Sequence, residues 1–450
     1  MPRDADVPGE AQIFGWIEEV FARGVRRPGY VADRWAEGWL QERFRALGLE
    51  GVRAEPVPLW YWEPRGAALT VTAGGQAVDV PCFPLPHTAA TPGLEAELVR
   101  SEAGEKVNGV AALYDVRLNR VPHAAFKAIA TWSYDPDDTF AASTHVLPFG
   151  REMMDVTGPA IEAGASAFVG SLGGYPGDSC QYYVPYDAVE RPIPAVWISG
   201  SDGERLWALL EAGPVRVKIS VDAVRERITS YNIVGELPGA DDEAVIIGSH
   251  HDGPWSSAVE DASGIALVLA QAAYWARVPP GERPHRLVFL LNAGHMAGGA
   301  GQAAFVETHR AELERVVLEL HLEHAAGEFA EEGGQLLPTG RPESRWWFTS
   351  RLSRLEAAVR EAIEAEDMRR SLVLPPTAFG EKPATDGADF YPAGVPIVNY
   401  LTAPFYLFDA MDTLDKIHRP SLVGITRAAI RIVEFTAGVS AAAMRSDPIV

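Results

Sequence analysis

Cysteine is nearly absent. Cys82 and Cys180 are the only two in 450 residues, too few for a disulfide framework or a thiolate zinc cluster. Basic residues are also scarce, 39 against 61 acidic ones, and the resulting charge of −22 repels phosphate backbones and anionic lipid. Neither a nucleic-acid nor a membrane partner is expected. No apolar run approaches the ~18 residues needed to span a bilayer. The opening MPRDADVPGEAQIFGW has no basic stretch followed by an apolar one. The expectation is a soluble, cytoplasmic protein. A Gly-x-Ser-x-Gly elbow and a Gly-Lys-Ser/Thr phosphate loop are missing too. Gly299-x-Gly301 in GHMAGGAGQAA is a poor dinucleotide signal, because residues intervene after the preceding strand and no ribose-binding acid follows at the usual offset.

What is present is a globular composition, 47% apolar, in a chain too long for one ordinary core. Two domains, or one large domain with an insert, fit that length. Helical periodicity runs through 9–48, carried by Ile13, Ile17, Val20 and Phe21, then by Trp35, Trp39, Leu40, Phe44 and Leu47. From 55 to 105 short alternating runs such as AALTVTA and AVDVPCF, broken by Gly and Pro, predict strands and turns. After 230 the order becomes strand–helix–strand–helix, predicting an α/β sheet with many parallel strands. The expected strands are YNIVGEL, EAVIIGSHH, HRLVFLLN, VVLELHLE and GVPIVNYL. The expected helices cover roughly 262–277, 297–310, 350–366 and 421–438, the first apolar nearly all round and therefore buried.

Ligands in open α/β sheets gather at the carboxyl ends of strands. Five of eleven histidines fall at such ends: His250 and His251, His295, and His321 and His324. One such histidine is ordinarily a satisfied structural residue. Three successive strands ending in histidine point to a metal centre. Asp252, two residues beyond His250, is placed to accept the second ring N–H and fix the tautomer. Glu260 and Asp261 stand at the start of the 262–277 helix, where capping is the plainer explanation. Glu319, Glu323, Asp386 and Asp389 are further carboxylates near strand ends, each equally at home in solvent. Trp60–Trp62, Tyr182–Tyr186 and Trp255 either line a pocket or belong to core.

The order of these segments over about 230–440 resembles the cocatalytic zinc aminopeptidases of the M28 type and their relatives, the glutaminyl cyclases and glutamate carboxypeptidases. YNIVGELPGADDEAVIIGSHHD looks like the strand leading to that family's His-x-Asp, and EDASGIA like its bridging-carboxylate motif. RLVFLLNAGHMAGGAG falls where the family reads Glu-Glu-x-Gly, VVLELHLEH where it reads Asn-Leu-Asp-Met. TDGADFYPAGVPIVNY resembles its Ser-Asp-His segment, and DAMDTLDKIHRP its Asp-Thr-Leu-Asp-Lys ending. The resemblance implies a mixed, largely parallel central sheet flanked by helices, built from 1–62 and 225–450. It also implies an inserted β-rich domain over 63–224, similar to the protease-associated domain.

The resemblance further implies two metals, and the residues at their positions differ sharply. At one, His250 holds the His-x-Asp position, Glu260 the bridging position and His321 the later aspartate position, all competent ligands. At the other, the private ligand positions carry Met296 and Phe408, which bind no hard or borderline divalent ion. His295 stands in the place of the general-base glutamate, and Gly387 in that of the histidine of Ser-Asp-His. The expectation is therefore one divalent ion per chain, zinc first and manganese, iron, cobalt or nickel as alternatives. Its ligands would be His250, Glu260 and His321. His295 is the expected base, Asp252 supports His250, and His251, Asp261, Glu323, His324, Asp386 and Asp389 are additional candidates.

The expected function is hydrolysis of an amide-like C–N bond in a small or unusual substrate, a small molecule or short peptide, by metal-activated water. Two other classes compete. A catalytically degenerate binding protein would retain no metal at stoichiometry, and an iron(II) lyase or redox enzyme would show iron-dependent chemistry. Oligomeric state stays open, a homo-oligomer included.

Overall fold

The computed structural model describes residues 4–101 and 106–449. The fold is mixed α/β, with one fifteen-stranded sheet among the described residues and helices packed on its faces. Four neighbouring strands, Arg286–Asn292, Ala244–His250, Val316–Leu322 and Ile397–Thr402, are mutually parallel. Their side chains are buried on both faces, which explains the uninterrupted apolar runs of their sequences. Beyond them the sheet continues through Arg345–Thr349, antiparallel, and Ser371–Leu374, parallel to that strand.

Sequence periodicity located the helices well. The expected segments appear as Gly264–Arg277, Ala300–Thr308, Ser353–Ala365 and Leu422–Phe435, and the 9–48 stretch as Glu10–Phe21 and Val31–Ala46. Every residue from Gly264 to Trp275 is buried, as the all-round apolar pattern requires. Among the described residues no helix is long and apolar enough to cross a membrane.

The 55–105 region holds the expected short strands Gln76–Val80, Phe83–Pro84 and Thr91–Arg100, but its first part departs from that pattern. Glu50–Ala73 is a single strand, paired antiparallel along its length with the equally long Val215–Leu237. Pro56, Pro58 and Pro64 lie within it. They share one parity, and over that stretch the strand has a partner on one side only, so each nitrogen lacking a hydrogen faces the open side. Val215–Leu237 joins the two halves of the sheet, pairing with Thr91–Arg100 near its start and Arg286–Asn292 near its end. Beyond Thr91–Arg100 follow the parallel strands Ala111–Val116, Ala167–Leu172 and Ala195–Ser199. One face of that part has its own apolar cluster, including Leu69, Leu98, Val169 and Ile198. The other, through Phe168 and Trp197, merges with the main core.

Candidate metal centre

The parallel strands bring three histidines together at their carboxyl ends. His250 is the last residue of Ala244–His250, and His295 opens the turn after Arg286–Asn292. His321 lies in Val316–Leu322, level with Gly248 on the neighbouring strand. A Cβ on Gly248 would sit 3.2 Å from Nδ1 of His321, so the glycine makes room for the ring. Nδ1 of His321 is 2.9 Å from Glu319, whose other oxygen accepts from Asn399 at 2.7 Å. Glu319 thus draws the ring proton to Nδ1 and leaves the Nε2 lone pair free.

Glu260 occupies the irregular turn Ala258–Ser263 before the Gly264–Arg277 helix. Asp412 holds that turn by accepting the backbone N–H groups of Val259 and Glu260, each at 2.9 Å. The buried guanidinium of Arg26 adds bonds to the carbonyls of Ser256, Ser257 and Glu260. Asp252 accepts the backbone N–H groups of His295 and Met296 at 3.0 and 2.7 Å, and lies 3.6 Å from Nδ1 of His250.

Around this frame the side chains converge. Nε2 of His250 is 2.9 Å from Asp386 and 3.3 Å from Glu260. Nδ1 of His295 is 2.8 Å from the other Asp386 oxygen, and its Nε2 is 3.6 Å from Glu260. Nε2 of His324 is 2.6 Å from Glu260, while its Nδ1 donates to the Thr402 carbonyl at 2.7 Å. Glu323 accepts the backbone N–H of Asp386 and lies 3.8 Å from Nε2 of His321. Two triads result, His250–Glu260–His295 and His321–Glu323–Asp386, each with ligand atoms within 4.8 Å of one another. Asp386 touches both.

Of the additional candidates, Glu323, His324 and Asp386 belong to this cluster, and three others do other work. His251 has both ring nitrogens engaged, with Asp33 at 2.8 Å and the Tyr231 carbonyl at 3.0 Å, which ties the Val31–Ala46 helix to the sheet. Asp261 accepts from Ser249 and from the N–H of Gly264, capping the helix behind it. Asp389 pairs with Lys382 at the rim of the cavity. Gly387 has no room for a side chain, since a Cβ would meet Asn399 at 2.6 Å.

The charges of the cluster act strongly on one another. Burial works to raise the pKa of Glu260, but His324 and His250 outweigh it and hold the carboxyl down at about 2. Burial likewise opposes charge on His324, yet Glu260, with Asp261 and Glu323, lifts it to about 10. Despite these short distances, Nε2 of His250, His321 and His324, both oxygens of Glu260 and one of Asp386 form no well-directed hydrogen bond. Buried polar atoms are rarely left so. Nitrogen and oxygen donors gathered in two adjoining triads and left without hydrogen-bond partners fit the binding of a divalent cation.

A cavity of about 230 Å³ opens onto the cluster, bounded by Glu260, His295, Glu323 and Asp386 and roofed by Phe149, Tyr186 and Phe408. Phe408 stacks on Tyr186 with ring centroids 4.9 Å apart, and Tyr186 lies 5.1 Å from His295. Trp62, Tyr182 and Tyr183 are core, so of the sequence's aromatic candidates it is Tyr186 that reaches the cavity. Arg26 and Asp412 had no signature as site residues, because their roles depend on backbone brought from distant parts of the chain.

Residues 232–433 match the model of peptidase family M28. This segment belongs to peptidase family M28. The M28 segment and what surrounds it also share their fold with known structures. One is an M28 peptidase precursor from Shewanella amazonensis, with TM-score 0.71, 22% identity, and coverage of 98% of this chain and 95% of that one. Another is a zinc aminopeptidase from Bacillus subtilis, with TM-score 0.65, 17% identity, and coverage of 94% and 95%. A curated relative, a probable leucine aminopeptidase 2 of Aspergillus oryzae, is 36% identical over 138 residues, 28% of this chain. That alignment spans 25% of the relative's length.

Proposed function

We propose that the chain is a metal-dependent hydrolase that cleaves an amide-like C–N bond in a small molecule or short peptide. The observation that carries this reading is the set of unsatisfied buried donors on His250, Glu260, His321 and Asp386. His250, Glu260 and His321 would hold one divalent ion at this centre, a set drawn from both triads, with Asp386 between them. Zinc is favoured by the donor set and by the zinc aminopeptidase of Bacillus subtilis among the structural relatives. Such an ion, when bound, polarises the scissile group and lowers the pKa of water.

The protein's own residues then handle the protons. Nδ1 of His295 lies 2.8 Å from Asp386, and on this reading Asp386 keeps the ring proton at Nδ1 and leaves the Nε2 lone pair for the reaction. His295 takes a proton from the attacking water and returns it to the departing nitrogen, a role worth about 10²–10⁴-fold in rate. Asp386 is its positioning residue. The aromatic roof excludes water and receives an apolar group, and the cavity of about 230 Å³ favours a substrate of few atoms over an extended chain. Met296 and Phe408, both buried and apolar, support a departure from the two-ion chemistry implied by the family resemblance. The same reading takes residues 63–224 as an inserted protease-associated-like domain. The charge of −22 and two free cysteines favour a cytoplasmic setting.

Metal-stripped protein reconstituted with zinc, manganese, cobalt, nickel or iron(II), and assayed on small aminoacyl amides and anilides, tests the proposal. Metal-dependent release of the amine is expected. No release from any substrate, at full metal occupancy of the His250 cluster, would overturn it.

A further inference from the structure

We propose that His123, His145 and Glu343 form a second divalent-cation site, of zinc-binding character, made from none of the residues of the first centre. All three side chains are buried, with residue exposures of 1%, 2% and 6%, and one ligand atom from each lies within 4.8 Å of the others. They come from separate elements. His123 begins the His123–Ile129 helix, His145 lies in the short strand Thr144–Val146, and Glu343 sits between the strands Gln335–Pro342 and Arg345–Thr349.

The hydrogen bonds around His123 set its tautomer. The Ser143 hydroxyl gives its single proton to the Thr139 carbonyl at 2.7 Å, so toward Nδ1 of His123, at 3.0 Å, it acts as acceptor. Nδ1 therefore carries the ring hydrogen, and Nε2 presents a lone pair with no hydrogen-bond partner. Nε2 of His145 is equally without one. Nδ1 of His145 stands 3.5 Å from the Glu343 oxygen that also accepts the Ser344 N–H at 2.7 Å, a long contact that leaves Nε2 of both histidines unmet.

The rings are also held in place. His123 stacks on Phe140 at 4.9 Å and 14°, while His145 packs against Trp346 at 5.3 Å and edge-on to Phe126 at 5.8 Å. A metal site needs donors fixed by packing, and these are. Two imidazoles and one carboxylate leave a coordination position free, as in open zinc sites. Here the three residues line a cavity of about 550 Å³ whose wall includes Arg120 and Arg341, so water or a small carboxylate has access to that position. The ion would also clasp two residues of the 63–224 segment to one following the Gln335–Pro342 strand.

Crystals of the full chain, grown after zinc loading and dialysis against metal-free buffer, provide the test through anomalous scattering at the zinc edge. A peak among His123, His145 and Glu343 is expected, and it should persist in His250→Ala, which separates it from the first centre. Zinc content should fall by about one equivalent in His123→Ala and in Glu343→Gln. Absence of the peak in the unaltered protein, or zinc seen only at soaking concentration and lost on dialysis, overturns the proposal whether or not the variants fold.

Discussion

Nδ1 of His295 lies 2.8 Å from a carboxylate oxygen of Asp386, the spacing of a charge-assisted hydrogen bond. The proposed function gives His295 a proton-handling task separable from metal retention, although it also stands within ligand distance of His250 and Glu260. His295→Gln should keep its metal while turnover falls by about 10²-fold or more. Metal analysis and single-turnover kinetics on the same sample check it. Loss of the ion along with activity would make His295 a ligand instead.

His321 should behave in the opposite way. His321→Ala removes a direct donor and should strip or weaken the metal before any effect on chemistry is measurable. Glu319→Gln keeps the ring but loses the acceptor that fixes its tautomer at 2.9 Å. A loss of about 10–100-fold in metal affinity is expected for that change, read by competition with a chelating dye.

Asp412 supports Glu260 through the main chain rather than through its carboxylate. Asp412→Ala leaves the N–H groups of Val259 and Glu260 buried and unpaired, at a cost of about 1–3 kcal/mol each. Denaturant unfolding should show that loss, together with weakened metal binding. Asp412→Asn, retaining one oxygen, should fall between Ala and wild type.

A fourth prediction concerns pH. Burial raises the pKa of Asp409 from 3.8 to about 6, against the opposing hydrogen bond from the Met411 N–H. Between those values the folded state holds a proton that the unfolded state has released. This contribution to stability therefore declines as pH rises through the window, and the penalty is complete above the folded value. The two-unit gap corresponds to at most about 3 kcal/mol. Asp409→Asn cannot ionise, so it should exceed wild type in stability at about pH 8 and converge with it near pH 4. Urea midpoints at the two pH values decide; an equal difference at both would rule out the burial penalty.

The parallel block was readable because Ala244–His250, Arg286–Asn292 and Val316–Leu322 are apolar runs that end at or near histidines, so element and chemistry are announced together. The strands Arg345–Thr349 and Ser371–Leu374 were not, since RWWFT and SLVL are too short to show a period. Pro56, Pro58 and Pro64 read locally as breaks, and only a one-sided partner makes them compatible with a continuous strand. Asp386 was one of several carboxylates near strand ends. What distinguishes it is the approach of His250 from a strand end and of His295 from the turn after Arg286–Asn292, a fact of tertiary structure. The His123–His145–Glu343 cluster was invisible for the same reason.

The paired strands Glu50–Ala73 and Val215–Leu237 act mechanically as a beam fixed at both ends. One end is stitched to Arg286–Asn292 beside the metal centre, the other to Thr91–Arg100. Bending it means breaking several backbone hydrogen bonds together, each worth about 0.5–1.5 kcal/mol net. A hinged swing of the outer part about this ribbon is thereby resisted. Phe149 and Tyr186, which line the cavity beside His295, belong to the part of the chain that this ribbon carries.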